Sequence, residues 1–599
     1  MALSACCHTS YAAFSSSPAS DRRSRNTVVL LVCALTVVVS PAEAPAQTRV
    51  AQAIYSRPQA PDSGQVIRKA QERQASFERQ RRQMLPRFYP GTPHHCLIVG
   101  RFCQWHANLS GYRIPEEGEK IRRARARLLQ DLEQAGNAVP GDEWIIGQRV
   151  RYLVEERDTS AIRVARSCAA RKWWCDALTG YALHTNGDFV GADSAFALAL
   201  DGMSSALRCH WINVSPLLDS DLRKTFRRLP CAQREARLGR IWWMADPLLM
   251  TPGNERRTEH FSRVLHTALQ QEARNTHGLS WGGDLAELTV RFGWPEKWTQ
   301  QPSQSMYPGV EPAVTGHERE PGFHFFLTAW PPDSLGLVTD SLWEVDQFPP
   351  QEKYAPLYAR AFVRLDAQVA RFRRGDSTLV VAAYDVSRDT LFRGRRFRAA
   401  LIAMGDEALP AAIDDTLDGP KRHVLTVTSP WKSQIVGVEL LAADSAAAAR
   451  WRSGFSEIPL EADRMSVSDL LFVDGGSSLP GSLADAIPRA HGGTVFARDT
   501  KAGLFWELYG EAPADSALPI SLTISPLETG LLRSALGALR VAAKPTPLNI
   551  RWQENGASGV LSARSLLLDL SLLPPGKYEV KLEVGATRIA TTRRIIRIR

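Results

Sequence analysis

WWMADPLLMTPGNE, from Trp242 to Glu255, and SWGGDLAELTVRFGWP, from Ser280 to Pro295, bracket one amphipathic segment near the middle of the chain. Pro252 and Gly253 close a loop, and Asn254 follows as a helix N-cap whose side chain accepts a backbone N–H of the first turn. Phe261, Val264, Leu265, Ala268 and Leu269 then recur at helical spacing, so one face of this helix is predicted to be buried. Arg256 and Arg257 fall in the first turn, where the helix dipole disfavours positive charge. They call for an acidic partner, and Asp246, Glu259 and Asp284 are the nearby candidates; an anionic ligand held by the two arginines is the alternative.

In the second motif a tryptophan leads into Leu288-Thr289-Val290, expected as a short strand, and then into the turn Phe292-Gly293-Trp294-Pro295. Together the two motifs resemble the GWxTD domain, a family of largely uncharacterised bacterial envelope proteins. Trp281, Asp284, Gly293 and Pro295 stand at the family's signature positions, and Trp242, Trp243, Asp246, Pro247, Asn254, Glu255, Arg256 and Arg257 make up the first motif. Ser280 replaces the family's leading glycine and Gly283 its threonine, so the chain resembles a divergent member. The likeness covers roughly 60 of the 599 residues and implies a location and a small α/β layer, but no reaction.

Gly278-Leu279-Ser280-Trp281-Gly282 satisfies G-x-S-x-G, the nucleophile-elbow pattern of serine hydrolases. That chemistry needs an apolar strand before the serine and a helix after it, whereas Arg274-Asn275-Thr276-His277 precedes it here. A hydrolase drawing on Ser280, His277, Asp284 and the two arginines is therefore the rival to a non-enzymatic reading. H-E-x-x-H, the Walker loop and G-x-G-x-x-G are absent, so no catalytic residue, cofactor or metal is assigned.

Working outward toward the N-terminus, WIIGQRVRYLVEERDTSAIRVA (Trp144 to Ala165) and WCDALTGYALHTNGDFVGADSAFALAL (Trp174 to Leu200) each read as an aromatic-led helix, a polar turn and an alanine-rich helix. They resemble tetratricopeptide repeats, with Gly180, Ala192, Phe196 and Ala199 at the small, small, aromatic and small positions, and Tyr152 and Ala161 in comparable roles before them. The resemblance implies a curved surface that grips a protein or peptide. Trp173 and Trp174 are the candidate anchors of that surface, with burial in the core as the competing assignment.

Six cysteines, Cys96, Cys103, Cys168, Cys175, Cys209 and Cys231, lie in this region, and none follows it. An even, localised set fits disulfides, with nearest neighbours as the attractive pairs. His94, His95 and His106 flank the first pair, but C-x6-C-x2-H matches no common zinc module.

Arg22, Arg23 and Arg25 precede an uncharged run from Thr27 to Val39, and Ala44-Pro45-Ala46 supplies a small-x-small cleavage pattern. A Sec-type signal peptide is expected, placing the protein in the periplasm or outside the cell; an uncleaved anchor is the alternative. The net charge of +10 is spread thinly, so nucleic-acid binding is not expected. Gln65 to Arg87 forms a basic helix read as a solvated linker, with attraction to an acidic membrane surface as the sharper alternative.

Beyond Pro302 the pattern turns to strands, among them Ser377–Val386, Ile435–Leu440, Phe505–Tyr509 and Ile520–Ile524. In LPPGKYEVKLEV, Tyr578, Val580, Leu582 and Val584 alternate onto one face after a Pro-Gly turn, resembling the closing hairpin of immunoglobulin-like modules. A carbohydrate-binding sandwich is a further alternative, which clustered exposed aromatics on one face would support; Trp506 and Tyr509 alone are too few.

The expected chain is multidomain α+β. It comprises a signal peptide (1–46), a basic helical linker (47–92), a disulfide-stapled helical repeat array (93–232) and a GWxTD-like α/β domain (233–335). A linker (336–354), a β-sandwich (355–460), a connector (461–489) and an immunoglobulin-like sandwich (490–599) complete it. Its expected work is protein binding or scaffolding in the envelope, without enzymatic activity.

Overall fold

Capping chemistry sets where the helices of the first half begin. Asp142, Asp188, Ser204, Asp219 and Asn254 each accept a backbone N–H of the turn that follows them. The structure, a computed structural model, describes residues 61–88, 97–104, 113–301, 313–346, 350–405, 411–417, 422–457, 465–510, 517–527, 547–555, 561–586 and 588–599. The leader, Cys96 and the three histidines around it lie outside these residues.

The chain is a mixed α+β protein. Among the described residues eleven helices fill most of the first half: α1 (Pro61–Met84), α2 (Glu119–Ala138), α3 (Glu143–Glu155), α4 (Ser160–Arg166), α5 (Lys172–Thr185) and α6 (Phe189–Asp201), then α7 (Ser205–Trp211), α8 (Ser220–Arg228), α9 (Cys231–Ala245), α10 (Glu255–Gln270) and α11 (Gly283–Phe292). Small residues bring α5 and α6 together: a Cβ at Gly180 would lie 3.0 Å from the Phe196 ring, and Ala192, Phe196 and Ala199 have no exposed surface. Cys168 is bonded to Cys175 across the turn between α4 and α5, and Cys209 to Cys231 between α7 and α9, with Cα separations of 5.5 and 5.7 Å. Such bridges fit an oxidising compartment. Cys103 is also disulfide-bonded. No described helix is long and apolar enough to cross a membrane.

Three expectations are corrected here. Helix α1 is no solvated linker: Ile67, Ala70, Phe77 and Leu85 share a core with Ile121, Leu128 and Leu132 of α2 and with Tyr152 of α3. Its apolar stripe looked thin because Gln74, Glu78 and Arg81 complete the buried face as polar residues. Gln74 donates to Tyr152 Oη (2.9 Å) and to the carbonyl of Arg274 (2.7 Å), while Glu78 accepts from Tyr152 (2.7 Å) and Thr276 (3.0 Å).

The strand expected at Leu288–Val290 is helical, within α11. Leu285, Leu288, Thr289 and Phe292 recur at helical spacing and are buried, and Thr289 Oγ1 satisfies itself on the carbonyl of Leu285 at 2.8 Å. Trp173 and Trp174 are core residues, 7% and 3% exposed. Trp173 meets Trp174 and Trp211 edge to face, and Trp174 Nε1 donates to the carbonyl of Glu143 at 3.1 Å, so neither ring presents an anchoring surface.

Short hairpins β1 (Leu97–Val99) with β2 (Phe102–Gln104), and β3 (Lys297–Gln300) with β4 (Val314–His317), border the helices. Strands β5 (Ala361–Arg364), β6 (Ala367–Arg374), β7 (Ser377–Asp385), β8 (Phe397–Met404), β9 (Ala411–Leu417), β10 (Arg422–Pro430), β11 (Gln434–Ala442) and β12 (Ala447–Phe455) form two sheets, ordered β5-β12-β11-β8-β9 and β10-β7-β6. Then come β13 (Ser466–Val467), β14 (Leu471–Asp474), a one-turn α12 (Leu483–Ala486), β15 (Val495–Phe496), β16 (Lys501–Tyr509), β17 (Ala517–Leu527), β18 (Leu548–Asn555), β19 (Leu561–Asp569), β20 (Gly576–Val584) and β21 (Ala590–Ile598). They make a third sheet centred on β16 and a fourth ordered β15-β21-β20-β17-β18.

The four sheets stack through successive cores. Val380, Ala382 and Tyr384 of β7 face Leu401 and Val438 of the first sheet. Val381 and Ala383, on the other face of β7, meet Leu471, Val473 and Phe505 of the third. Burial on both faces explains the unbroken apolar run of β7. The third and fourth sheets enclose Leu504, Trp506, Leu522, Val580 and Leu582, with Tyr578, Val580, Leu582 and Val584 all inward as their alternation predicts. Trp506 and Tyr509 are buried, at 1% and 6%, so neither offers an exposed ring to a sugar.

Candidate functional site

Helix α10 is amphipathic in an unusual sense, because both of its faces are buried. Phe261, Val264, Leu265 and Leu269 enter the main apolar core. Glu259, Ser262, Arg263 and His266, spaced i, i+3, i+4 and i+7, form a polar stripe that opens into a cavity of about 650 Å³ instead of onto solvent. The other walls are Arg81 of α1, Arg122 and Arg125 of α2, the end of α3 at Val154–Arg157, Tyr181 and His184 of α5, the turn from Gly293 to Lys297, the segment Glu318–Glu320 after β4, and Lys353 to Leu357.

Most charges on the walls neutralise one another. Arg81 pairs with Glu155 (3.1 Å) and Glu117 (2.7 Å), Arg125 with Glu117 and Glu156, Arg157 with Glu296, and Lys297 with Glu116. Arg263 pairs with Glu259 and also donates to the carbonyls of Arg291 (2.8 Å) and Lys353 (2.7 Å), tying α10 to the end of α11. Burial opposes the charge on Glu259, but Arg263 and His184, whose Nε2 lies 2.6 Å away, outweigh it and hold the carboxyl well below its usual range. Burial, followed by repulsion from Arg151, lowers His266 to about 3, so its ring is neutral.

Two consecutive residues break the pairing. Arg319 makes no ion pair or hydrogen bond among the described residues, and Glu318 accepts from Gln104 but lies within ion-pair distance of no described cation. Glu318 keeps some accessible surface yet is hemmed in by protein, and this burial pushes it up to about 7. Ser262 Oγ, Tyr354 Oη, Trp294 Nε1 and Arg319 Nη1 are buried polar atoms without partners in the cavity walls.

From the second motif Thr289, Phe292, Gly293, Trp294 and Pro295 line the cavity, and no residue of the first motif does. Gly293 adopts φ 93°, and a Cβ there would press on the Arg263 guanidinium at 3.3 Å, so the turn both needs glycine and seats Arg263. Asp284 is held by Arg101 at 2.6 and 2.9 Å on the surface, and Trp281 packs 6.3 Å from Trp294.

The first motif does something else: it docks the helices onto the first sheet. The carbonyls of Asp246 and Pro247 accept from Arg450 and Arg452, Trp243 packs against Ala400 and Ile402, and Trp242 stacks beside His260. Asp246 and Glu255 are buried near Glu439; burial and mutual repulsion raise Asp246 well above its usual value, and burial raises Glu255 to about 7 despite the hydrogen bond from Tyr358. Asn254 caps α10 as expected.

The partners expected for the two arginines are corrected. Arg256 pairs with Glu352 at 2.9 Å, both without exposed surface, and Arg257 pairs with Asp193. Neither Asp246, Glu259 nor Asp284 serves, because each is engaged by another group or lies elsewhere.

The rival hydrolase set is not assembled. Ser280 is exposed with no strand before it, His277 is wedged between Trp294 and Trp298, and both arginines are neutralised. Thr258, His184 and Glu259 do form a hydroxyl–imidazole–carboxylate chain of 2.9 and 2.6 Å, but Thr258 has no exposed surface to offer a substrate.

No protein-family model and no curated protein matches the chain. Among solved structures, one titled "Structural basis of neurohormone perception by the receptor tyrosine kinase Torso" aligns at 8% identity over 39% of this chain and 74% of that one, with a TM-score of 0.10. An Escherichia coli alpha-2-macroglobulin activated by porcine elastase aligns at 12% identity over 39% of this chain and 23% of that one, with a TM-score of 0.13. Likeness this low carries no argument about fold or function.

Proposed function

We propose that this chain is an exported, non-enzymatic binding protein of the bacterial envelope. In this reading the helical half is a tetratricopeptide-like array joined to a divergent GWxTD-like element, and it recognises a protein or peptide segment. The immunoglobulin-like sheets act as spacers. What carries the proposal is the polar stripe of α10: four residues at helical spacing that would normally lie on an outer face instead line a half-open cleft of about 650 Å³, a size suited to a small ligand or a chain end. Orphaned polar atoms in its walls add support, since buried groups of this kind are ordinarily satisfied. Recognition thus moves from an outer face of the repeats to the cleft that they enclose.

A photo-reactive amino acid at Leu357, on the cavity wall, is expected to form an adduct with a peptide or protein in intact envelopes, while one at exposed Ile595 on β21 forms none. Equal adducts at both positions, or none at either, would sink the proposal. Labelling by a serine-hydrolase probe that disappears in Ser280→Ala would establish the enzyme instead.

A further inference from the structure

Every other basic side chain in the cavity wall has a carboxylate partner: Arg81, Arg125, Arg157, Arg263, Lys297 and Lys353 are each paired with glutamate, and Arg122 pairs with Glu119 just outside. Among the described residues Arg319 is the exception. It stands beside Glu318 on the strand end that forms one wall, and Ser262 and Tyr354, 4% and 5% exposed, carry unpartnered hydroxyls in the walls around the same space.

Resting on the reading that the cleft is the recognition site, we propose that it takes the free carboxylate end of a short peptide, with Arg319 as the cation that receives it. A guanidinium presents two parallel N–H donors that match a carboxylate in one plane, and an unpaired one inside a cleft is otherwise an uncompensated cost. The walls carry as many glutamates as lysines and arginines, so one guanidinium, unpaired among the described residues, can receive a monoanion while no net positive charge awaits a second. Glu259 and Glu155, both held ionised by their arginine partners, line the same cavity and repel the second charge of a phosphate.

The remaining chemistry suits the residues that precede a peptide terminus. Tyr354 and Ser262 hydroxyls and the Trp294 indole N–H offer hydrogen bonds to backbone amides, and Val154, Phe292 and Leu357 supply apolar wall for side chains. Oη of Tyr354, Oγ of Ser262, Nε1 of Trp294 and Nη1 of Arg319 carry almost no accessible surface, so a bound chain reaches them as those side chains rotate toward the cleft.

The test is calorimetric titration of the purified full protein with three probes: a randomised tripeptide mixture with free carboxylates, the same mixture with C-terminal amides, and inorganic phosphate. The free acids are expected to bind, the amides to bind roughly 10- to 100-fold more weakly, and phosphate not to compete. Arg319→Gln should abolish the difference between acid and amide, and Arg319→Lys should restore part of it, while thermal melting of both variants stays unchanged because Arg319 makes no ion pair or hydrogen bond among the described residues. Equal binding of acids and amides would overturn the carboxylate assignment and leave the cleft as a binding site. Competition by phosphate without peptide binding would overturn it in favour of a general anion site. Binding of none of the probes would overturn it as well, and a Leu357 adduct in the same preparation would then show that the cleft holds a different ligand class.

Discussion

The helical half and the sheet stack are both well buried, but they bury different chemistry. Around the third and fourth sheets the core is aliphatic and aromatic, and strands such as β7 and β20 carry that character openly in their residues. The helical half instead hides Glu78, Arg81, Arg151, Arg256, Glu352 and His266, each no more than 3% exposed. In the sheets, buried charge is confined to seams, such as Glu439, Arg450 and Arg452 where the first sheet meets the first motif. Buried ion pairs contribute little net stability, whereas leaving half of one is costly. The buried charged and titratable side chains are concentrated in the half of the molecule that holds the cavity, and two of those named, Arg81 and His266, line it.

Breaking that contrast should be easiest at Arg256. Removing the guanidinium in Arg256→Met strands Glu352 between two backbone N–H groups and His324, and is expected to cost about 3–5 kcal/mol in urea unfolding. Leu401→Ala in the first sheet, a fully buried apolar deletion, is the matched control at about 2–5 kcal/mol. The two differ in kind: the loss in Arg256→Met should shrink as pH falls and Glu352 is neutralised, while that of Leu401→Ala should not change with pH. A flat pH response from both would erase the distinction between the halves.

His266 sharpens it further. Its native value of about 3 lies below the ordinary 6.5, so the unfolded chain takes up a proton first as pH falls. The stability linked to this neutral ring is present in full above pH 6.5 and is lost progressively toward pH 3. Glu318 works in the opposite sense, because a carboxyl raised to about 7 contributes most below 4.5 and loses that contribution as pH rises through 7. His266 is enclosed by Tyr181, Arg151, Glu155, Glu259, Gln270 and Trp294. His266→Gln is therefore expected to be less sensitive to acid than the parent between pH 6.5 and 4.5 in urea midpoints. An unchanged slope would assign the acid sensitivity to the surrounding carboxylates.

The smallest effect belongs to a residue that looked most important in the sequence. Asp284 stands at a motif position, yet it forms a bidentate pair with an exposed arginine, so Asp284→Asn should cost less than about 1 kcal/mol in melting experiments at moderate salt. A larger loss would give the second motif a structural weight that its surface position does not explain.

How much was legible follows the same division. Local signals read correctly: the Asn254 cap, the cysteine pairs Cys168–Cys175 and Cys209–Cys231, and the inward alternation of β20. Each depends on neighbours in sequence or on a short period. Arg256 was read as needing an acid, which it does, but its partner is 96 residues away and no spacing rule points to Glu352. Leu288-Thr289-Val290 was misread because β-branched residues favour strands only until a helical apolar spacing and a self-satisfied threonine outweigh them. The cavity escaped notice because a polar helical stripe ordinarily means water. Glu259, Ser262, Arg263 and His266 were visible at the right spacing, and only the enclosing walls, drawn from residues 81 to 357, reverse their meaning.

The docking of α1 sets an order of events for the emerging chain. Gln74 exchanges hydrogen bonds with Arg274, 200 residues later, and Glu78 waits for Thr276. At synthesis rates of about 5–20 residues per second, that interval lasts on the order of 10–40 s. The first of the described helices to leave the ribosome thus meets α2 and α3 early but completes its polar contacts only once residue 276 is made, and until then Gln74 and Glu78 stay compatible with water.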